Sequence, residues 1–215
     1  MKLKLLVFDC DGVILDSAGV KVDAFAATGS LFDADVADWL LSAHKASPGL
    51  SRHVLFDRLY RIWYGRDILE SERSLLNKVF RSSCRERLLQ APPIPGALET
   101  IAKWRDRVPV HVCSGAPQED LDELFAARDL SSLFAGVHGS PPGKAELLAS
   151  IVRDVGVLPE ETVMVGDSIT DLEAARCVKT HFYGCGAHMA DQTRFWSRDL
   201  SNLDAWLCEQ TSTHC

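Results

Sequence analysis

Two aspartates, Asp9 and Asp11, follow the short apolar run at residues 3–8 and precede Gly12. The apolar run predicts a buried strand that ends in a turn. If the chain stays extended, side chains two positions apart point to the same side. Carboxylates that close repel each other unless a cation lies between them or one of them keeps its proton. Mg²⁺ suits such a place because it takes oxygen ligands and leaves positions for water and substrate phosphate.

A surface turn rich in aspartate would explain this stretch equally well, but three further segments follow it along the chain. A second apolar run at residues 110–115 ends in a hydroxyl and a glycine, and a loop at residues 139–144 delivers a lysine to the start of a helix. A third apolar run at residues 163–171 ends in two more carboxylates. The residues of these segments that could do chemistry are Ser114, Gly115, Lys144, Asp167 and Asp171.

Together the four segments resemble the four motifs of the haloacid dehalogenase superfamily of phosphatases and phosphotransferases. The match covers most of the chain. Within the superfamily, the chain is similar to the branch of phosphoglycolate phosphatases and β-phosphoglucomutases, which carry an α-helical cap. The resemblance implies a Mg²⁺-dependent phosphatase that hydrolyses a small phosphorylated metabolite. It also implies an aspartyl-phosphate intermediate, with a sugar phosphate or a phosphoglycolate-like compound as the substrate.

The resemblance assigns the first two carboxylates different roles. Asp9 would attack phosphorus and bind the metal. Asp11 would protonate the leaving oxygen, then activate water for the second step, and its backbone carbonyl would reach the metal. The dehalogenase branch lacks an acid at the position of Asp11, so its presence disfavours a halide-displacing enzyme.

The resemblance also assigns roles to the later segments. Ser114 and the backbone amide of Gly115 would bind a phosphoryl oxygen. Lys144 would neutralise the phosphoryl charge and restrain the nucleophile, although many relatives have Lys-Pro where this lysine follows Pro-Pro-Gly. Asp167 would bind Mg²⁺ directly, and Asp171 directly or through water. Each residue has a plainer explanation as a strand-end turn, a surface lysine or an acid that favours a helix N-terminus.

The elements that must position these residues form two regions. Residues 17–92 have no strand-like run and are predicted to be helical, with Leu55, Leu59 and Ile62 at helical spacing. The stretch at residues 65–67 predicts a new helix capped by Asp67. We therefore expect an inserted α-helical cap at residues 17–92.

From residue 95 onward, helical and strand patterns alternate. This alternation predicts a parallel sheet with helices on both faces, a Rossmann-like α/β core made of residues 1–16 and 93–215. The tail from Asp191 is weakly patterned, and we expect residues 209–215 to be loose. Since ligands of such sheets bind outside the carboxyl ends of the strands, Asp9, Asp11, Ser114 and Asp167 should converge at one edge.

Substrate selection should lie in the cap, where the sequence is less informative. Lys21, Lys45, Arg52 and His53 are basic residues that would face the site, although each is more often a solvated surface group. Arg52 follows the turn at residues 49–51, which points it inward, so it is our candidate substrate-binding residue.

The composition limits the class of protein. The 215-residue chain is 47% hydrophobic and 25% charged, with a formal net charge of −7, which is typical of a globular enzyme and argues against a nucleic-acid partner. No apolar run reaches the roughly 20 residues that span a bilayer, and Asp9 interrupts the N-terminal run too early for a signal peptide. Seven cysteines without a CxxC pair indicate reduced thiols, so we expect a cytoplasmic protein. We also expect a monomer or homodimer without a membrane partner.

Two alternatives stay open at this point. A phosphosugar mutase of the β-phosphoglucomutase kind would use the same four motifs and differ in whether water or a sugar hydroxyl takes the phosphoryl group. A non-catalytic binding or regulatory protein on the same fold is disfavoured, because every catalytic position is filled by a competent residue.

Overall fold

The computed structural model describes residues 2–212. Over these residues, six parallel strands form one sheet in the order β3-β2-β1-β4-β5-β6. The first strand therefore lies inside the sheet, between the second and the fourth. The strands are β1 (Leu5–Phe8), β2 (Val110–Pro117), β3 (Gly136–Ser140), β4 (Thr162–Gly166), β5 (His181–Cys185) and β6 (Trp196–Ser197).

Helices cover the sheet and also form a separate block between β1 and β2. Within the part of the chain that the structure describes, none of them is long and apolar enough to cross a bilayer. The helices are α1 (Ala18–Gly29), α2 (Ala34–Ala46), α3 (Arg52–Tyr64), α4 (Glu70–Gln90), α5 (Ala97–Trp104), α6 (Gln118–Ala127), α7 (Lys144–Val155), α8 (Ile169–Val178) and α9 (Leu203–Ser212).

The central strand β1 is buried on both faces. Leu6 and Phe8 belong to one hydrophobic cluster, and Leu5 and Val7 belong to another on the opposite side of the sheet. A strand buried on both faces reads as a continuous apolar run, as the sequence of β1 does. The structure confirms the predicted α/β class with a Rossmann-like parallel sheet.

The helices α1–α4 have a hydrophobic cluster of their own, separate from both clusters of the sheet. Leu55 and Leu59 lie in it, as the helical spacing predicts, and Phe25 and Phe80 join them from α1 and α4. Ile62 is 61% exposed, because the last turn of α3 runs beyond this cluster. We call the helices α1–α4 the cap helices and propose that residues 17–92 form the cap, with the core at residues 1–16 and 93–215.

The chain enters and leaves the cap helices at adjacent points. The Asp16 amide donates to the Pro92 carbonyl at 2.9 Å, and the Ile94 amide donates to the Ile14 carbonyl at 3.0 Å. Leu15 also pairs with Pro93 in an isolated bridge. The two connections to the cap are thus bonded to each other where they leave the core.

The prediction that Asp67 caps a new helix is wrong by two residues, because the N-cap is Leu69. Helix α4 begins at Glu70, and the side chain of Glu72 accepts a hydrogen bond from the Leu69 amide at 2.9 Å. Glu72 also binds Arg66 through two hydrogen bonds. The backbone amide at the helix start is therefore bonded by a carboxylate inside the first turn, and not by Asp67 before it.

The C-terminal tail is more ordered than its pattern predicts. Residues 196–197 add strand β6 beside β5, and α9 buries Leu203 and Leu207 in the larger hydrophobic cluster of the sheet. The expectation of a loose segment is therefore wrong for residues 209–212, and residues 213–215 lie outside the described part of the chain. Two buried leucines one turn apart are too weak a signal to predict a helix.

Candidate active site

The predicted site residues follow the ends of the strands, and ion pairs join several of them. Asp9 comes directly after β1, and Asp167 directly after β4. Ser114 lies in β2, and Lys144 opens α7 after β3. Because the strands are parallel, these positions share the carboxyl edge of the sheet.

Lys144 is buried between two carboxylates. Its Nζ atom lies 3.0 Å from Asp9 Oδ2 and 2.5 Å from Asp171 Oδ1, and all three side chains are almost fully shielded from solvent. Burial alone would lower the pKa of Lys144, but the charges of Asp171 and Asp9 outweigh it and raise that pKa. The lysine is therefore a fixed positive charge at the centre of the site.

Asp171 has a second set of contacts, at the start of α8. Its Oδ2 atom accepts hydrogen bonds from the Ser168 amide at 3.1 Å and from the Ser168 hydroxyl at 2.5 Å. This is a reciprocal capping box, formed by a serine and an acid three residues apart. The sequence of the helix start thus fixes the carboxylate that in turn holds Lys144.

Asp9, Asp167 and Asp171 form a carboxylate cluster. Each offers one oxygen, and the three oxygens lie within 4.8 Å of one another. Burial, together with the charge of Asp171, raises the pKa of Asp9 to about 7. Burial, together with the charge of Asp9, raises the pKa of Asp167 to about 8. Oδ1 of Asp9 is buried with no hydrogen-bond partner among residues 2–212, so the cluster fits a hard divalent cation such as Mg²⁺.

Gly12 allows the first motif to approach Asp167. Its φ is +79°, in the left-handed region, and a Cβ atom there would lie 2.1 Å from Asp167 Oδ2. Any side chain at this position would therefore displace a member of the cluster. The glycine after the two aspartates is required by space as well as by backbone conformation.

The carboxylate of Asp11 lies apart from the cluster of Asp9, Asp167 and Asp171. Its Oδ1 accepts a hydrogen bond from the Ser17 hydroxyl at 2.7 Å, and its Oδ2 forms an ion pair with Lys21. The sequence argument assumed an extended chain, but β1 ends at Phe8 and a turn closes on the Cys10 carbonyl. Burial would raise the pKa of Asp11, yet Lys21 and Ser17 outweigh it and lower that pKa.

Ser114 and Gly115 lie where β2 meets the cap. Ser114 is buried, and its hydroxyl accepts a hydrogen bond from the Ala116 amide at 3.2 Å. A Cβ atom on Gly115 would lie 1.8 Å from the Gly49 carbonyl oxygen. Only a glycine at 115 lets the cap come this close.

Residues 47–51, which we call the cap loop, reach over Lys144 at the carboxyl edge of the sheet. A Cβ atom on Gly49 would lie 3.2 Å from Lys144 Nζ. The Ser140 hydroxyl donates to the Ser51 hydroxyl at 2.8 Å, and the Thr170 hydroxyl donates to the Pro48 carbonyl. The cap is thus closed onto the core at the strand ends.

A cavity of about 240 Å³ lies between the closed cap and the edge of the sheet. Asp9, Asp11 and Asp167 line its core side, and Lys21, Lys45 and Arg52 reach it from the cap. His53, the fourth basic residue predicted to face the site, is not among the lining residues. The sequence analysis missed the remaining contacts on the cap side, which include Phe25, His44, Leu50 and Phe80.

Arg52 points inward, but its guanidinium is already engaged. Nε donates to Asn77 Oδ1 at 2.8 Å, Nη1 forms an ion pair with Asp120 on α6, and the group lies 5.1 Å from the centre of the Phe80 ring. Arg52 therefore ties α3 to the core as well as lining the cavity.

A family model described as a haloacid dehalogenase-like hydrolase matches residues 3–179. The chain therefore belongs to the haloacid dehalogenase-like hydrolases, which confirms the family that the four motifs predict.

Among curated proteins, the chain is similar to phosphatases of two bacteria. It is 26% identical over 205 residues to a phosphoglycolate phosphatase of Pseudomonas syringae, covering 88% of this chain and 74% of that protein. It is 22% identical over 181 residues to a phosphorylated carbohydrates phosphatase of Thermotoga maritima, covering 81% of each. A solved β-phosphoglucomutase of Clostridium difficile shares the fold, with a TM-score of 0.77 and 15% identity over 97% of this chain and 96% of that one.

Proposed function

We propose that this hydrolase is a Mg²⁺-dependent phosphatase of a small phosphorylated metabolite, a sugar phosphate or a phosphoglycolate-like compound. The observation that carries the proposal is the buried Lys144 between Asp9 and Asp171, next to a cavity that Asp9 and Asp167 line. The similarity to two named phosphatases supports it.

In the first step, an oxygen of Asp9 attacks phosphorus, and the bond from phosphorus to the leaving oxygen breaks. Asp11, in its protonated form, gives its proton to that oxygen. The product is an aspartyl phosphate on Asp9, which divides a difficult hydrolysis into two easier steps. Oδ2 of Asp9 is held by Lys144, while Oδ1 has no partner among the described residues.

In the second step, water attacks the aspartyl phosphate. Asp11 takes a proton from this water, the bond from phosphorus to Asp9 breaks, and inorganic phosphate leaves. The ion pair with Lys21 lowers the pKa of Asp11, which favours the ionised form that this step needs over the protonated form that the first step needs.

The remaining residues position charge. Asp9, Asp167, Asp171 and the Asp11 carbonyl would hold Mg²⁺, which when bound neutralises charge on the phosphoryl group. Lys144, Ser114 and the Gly115 amide would bind phosphoryl oxygens, since phosphoryl transfer depends on positioning and electrostatics. Arg52 would contact the rest of the substrate, and the cap loop would exclude water.

Phosphate release from a panel of phosphomonoesters tests the proposal. Release should require Mg²⁺, stop with a chelator, and fall by about a thousandfold or more in Asp9→Asn. Asp16→Asn is the matched control, because Asp16 is exposed and lies outside the cavity. Release by Asp9→Asn at the wild-type rate would remove Asp9 as the nucleophile.

The mutase alternative is separated by its products. A β-phosphoglucomutase-like enzyme would interconvert phosphosugar isomers without net phosphate release, which phosphorus NMR of the same reactions detects. Formation of phosphosugar isomers without release of phosphate would contradict the phosphatase proposal and favour the mutase.

A further inference from the structure

The cap side of the cavity contains a buried histidine that the proposed mechanism does not use. His44 on α2 is 8% exposed and lines the cavity, and its ring stacks on Phe25 with centroids 4.2 Å apart. The imidazole makes no hydrogen bond to any residue between 2 and 212, and Nδ1 is closed off from solvent. The edge of the ring that carries Nε2 is thus the edge left open to a bound group.

A buried polar group without a partner is unusual and calls for an explanation. Burial, then the charge of Lys21, lowers the pKa of His44 to about 4, so the ring is neutral near pH 7. A neutral imidazole has one nitrogen that donates and one that accepts. A hydroxyl is the natural partner for either kind of nitrogen, because it can both donate and accept.

Two of the three cationic side chains that line the cap side of the cavity are already paired with carboxylates. Lys21 is paired with Asp11, and Arg52 with Asp120. Arg52 Nη2 has no hydrogen-bond partner among residues 2–212, but its guanidinium shares the charge that Asp120 neutralises. A second anion on the substrate would have to compete with these carboxylates, and Lys45, the remaining lining cation, is exposed and screened by solvent.

The rest of this wall is apolar. Phe25, Leu50 and Phe80 line it beside His44. Apolar rings favour the carbon skeleton of a bound molecule and disfavour an unpaired carboxylate, which loses its hydration on burial.

Building on the proposed phosphatase function, we propose that the cavity selects a phosphomonoester whose leaving group is uncharged and bears a hydroxyl. In this proposal His44 is the specificity residue that hydrogen-bonds that hydroxyl. This selectivity favours sugar or polyol phosphates as substrates over phosphoglycolate-like acids.

Two pairs of substrates that differ only in a CH₂OH group or a carboxylate test the class. Glycerol 3-phosphate is compared with 3-phosphoglycerate, and 2-hydroxyethyl phosphate with phosphoglycolate. We expect the hydroxyl member of each pair to have a kcat/KM about tenfold higher or more. Preference for the acid in both pairs would overturn the proposal.

Variants of His44 test the residue. His44→Phe keeps a flat ring on Phe25 but removes the hydrogen bond, and should reduce the ratio of kcat/KM between hydroxyl and acid members about fivefold. His44→Gln places an amide near the position of Nε2 and should restore much of the ratio. His53→Phe, a change in a neighbouring histidine that does not line the cavity, should keep the wild-type ratio. An unchanged ratio in His44→Phe, or an equal loss on both members, would show that His44 is only structural.

A binding measurement keeps this inference separate from the proposed function. Phosphate release with Mg²⁺ from the four paired substrates and from phenyl phosphate, whose leaving group carries no further polar group, reports whether the chain hydrolyses phosphomonoesters at all. If it does not, the phosphatase proposal fails, while calorimetry of the same pairs with Asp9→Asn still decides the selectivity. Tighter binding of the hydroxyl members supports the role of His44, and equal or weaker binding contradicts it.

Discussion

On the core side of the cavity, charged groups from separate elements meet in one buried cluster, whereas the cap helices reach the core through a loop and paired side chains. Lys144 on α7 joins Asp9 after β1 to Asp171 on α8, and each is at least nine-tenths buried. On the cap side, Arg81 on α4 lies near three acids of α6 and is about one-third exposed. The groups proposed for chemistry thus lie on the sheet and the helices that flank it, and those proposed for selection lie on the cap helices.

The free energies expected for buried and for exposed ion pairs differ in the same way as these two sides of the cavity. Removing one member of a buried ion pair costs about 3–5 kcal/mol, because the other charge stays buried without compensation. An exposed ion pair contributes about 0–1 kcal/mol. The contacts of Arg81 can therefore open and close at little cost, whereas those of Lys144 cannot.

The largest effect should come from Lys144→Met. Without the lysine, Asp9 and Asp171 are buried beside Asp167 with no positive charge, so the free energy of unfolding should fall by about 3–5 kcal/mol in the absence of metal. Phosphate release should fall by about a thousandfold, even in Mg²⁺, since the phosphoryl charge loses a fixed partner. Urea unfolding and phosphate release check both effects.

Lys78→Met is the matched control, because Lys78 is exposed on α4. It should unfold like the wild type. A Lys144→Met protein with wild-type stability would mean that the core cluster contributes no more to the free energy of unfolding than the cap contacts do.

Gly115→Ala should disturb the contact between the cap loop and the core while leaving the carboxylate cluster intact. The added Cβ would meet the Gly49 carbonyl oxygen, so the cap loop must move away from the phosphoryl end. We expect kcat/KM to fall about ten- to a hundredfold, the order expected for a displacement of about 1 Å at a reacting centre. Gly143→Ala is the control, since a Cβ there would meet no atom of the described residues within 4 Å. Equal rates in both variants would show that closure of the cap loop is not needed.

The pH dependence of stability between about pH 7 and 8 should report the core cluster. The pKa values of Asp9 and Asp167 are raised to about 7 and 8 from 3.8. In this range the folded protein holds protons on these carboxyl groups that the unfolded chain has released, so the metal-free protein loses stability as the pH rises. Below about pH 6.5, His44 and His111, whose pKa values are lowered to about 4, change stability in the opposite sense.

Mg²⁺ should reverse this trend, because it binds the ionised carboxylates and its stabilising effect grows with pH. Thermal melts at pH 7 and 8, with Mg²⁺ or with a chelator, check the sign. Asp167→Asn should reduce the slope. A chelated protein that gains stability from pH 7 to 8 would contradict the raised pKa values.

The smallest effect should come from Arg81→Ala. Loss of its contacts with Glu119, Asp120 and Glu123 should favour an open cap and raise KM about two- to threefold, with little change in kcat. High salt should have the same effect on the wild type. Arg85→Ala, a neighbouring exposed arginine, is the control.

The sequence predicts the core side well, because few physical rules determine it. Apolar runs give strands, and parallel strands share a carboxyl edge. Asp9 and Asp167 follow their strands directly, and Lys144 opens the helix after a short loop. The positions of these residues therefore follow from the order of elements. Even here, the turn after Phe8 separates the carboxylate of Asp11 from the cluster, which an assumption of extended chain does not anticipate.

The cap side is harder to predict, because its contacts join distant segments. The pairing of Arg52 with Asp120, and the position of His44 on the cavity wall, depend on the angle at which the cap helices meet the sheet. Periodicity shows which face of a helix is apolar but not which end of it lies over the site. His44 lies at helical spacing from Leu40 on a buried face, so the sequence offers only the signal of an ordinary core histidine.

The bonded connections at residues 14–16 and 92–94 have a consequence for engineering and for the history of the chain. Because Asp16 and Pro92 are hydrogen-bonded neighbours, a turn of a few residues spans the gap between them, and so does any inserted unit whose ends lie side by side. Helical units can thus be exchanged, enlarged or deleted at this point without rethreading the sheet. A capless version should keep the cluster of Asp9, Lys144, Asp167 and Asp171 and become an unselective scaffold onto which new lids can be grafted.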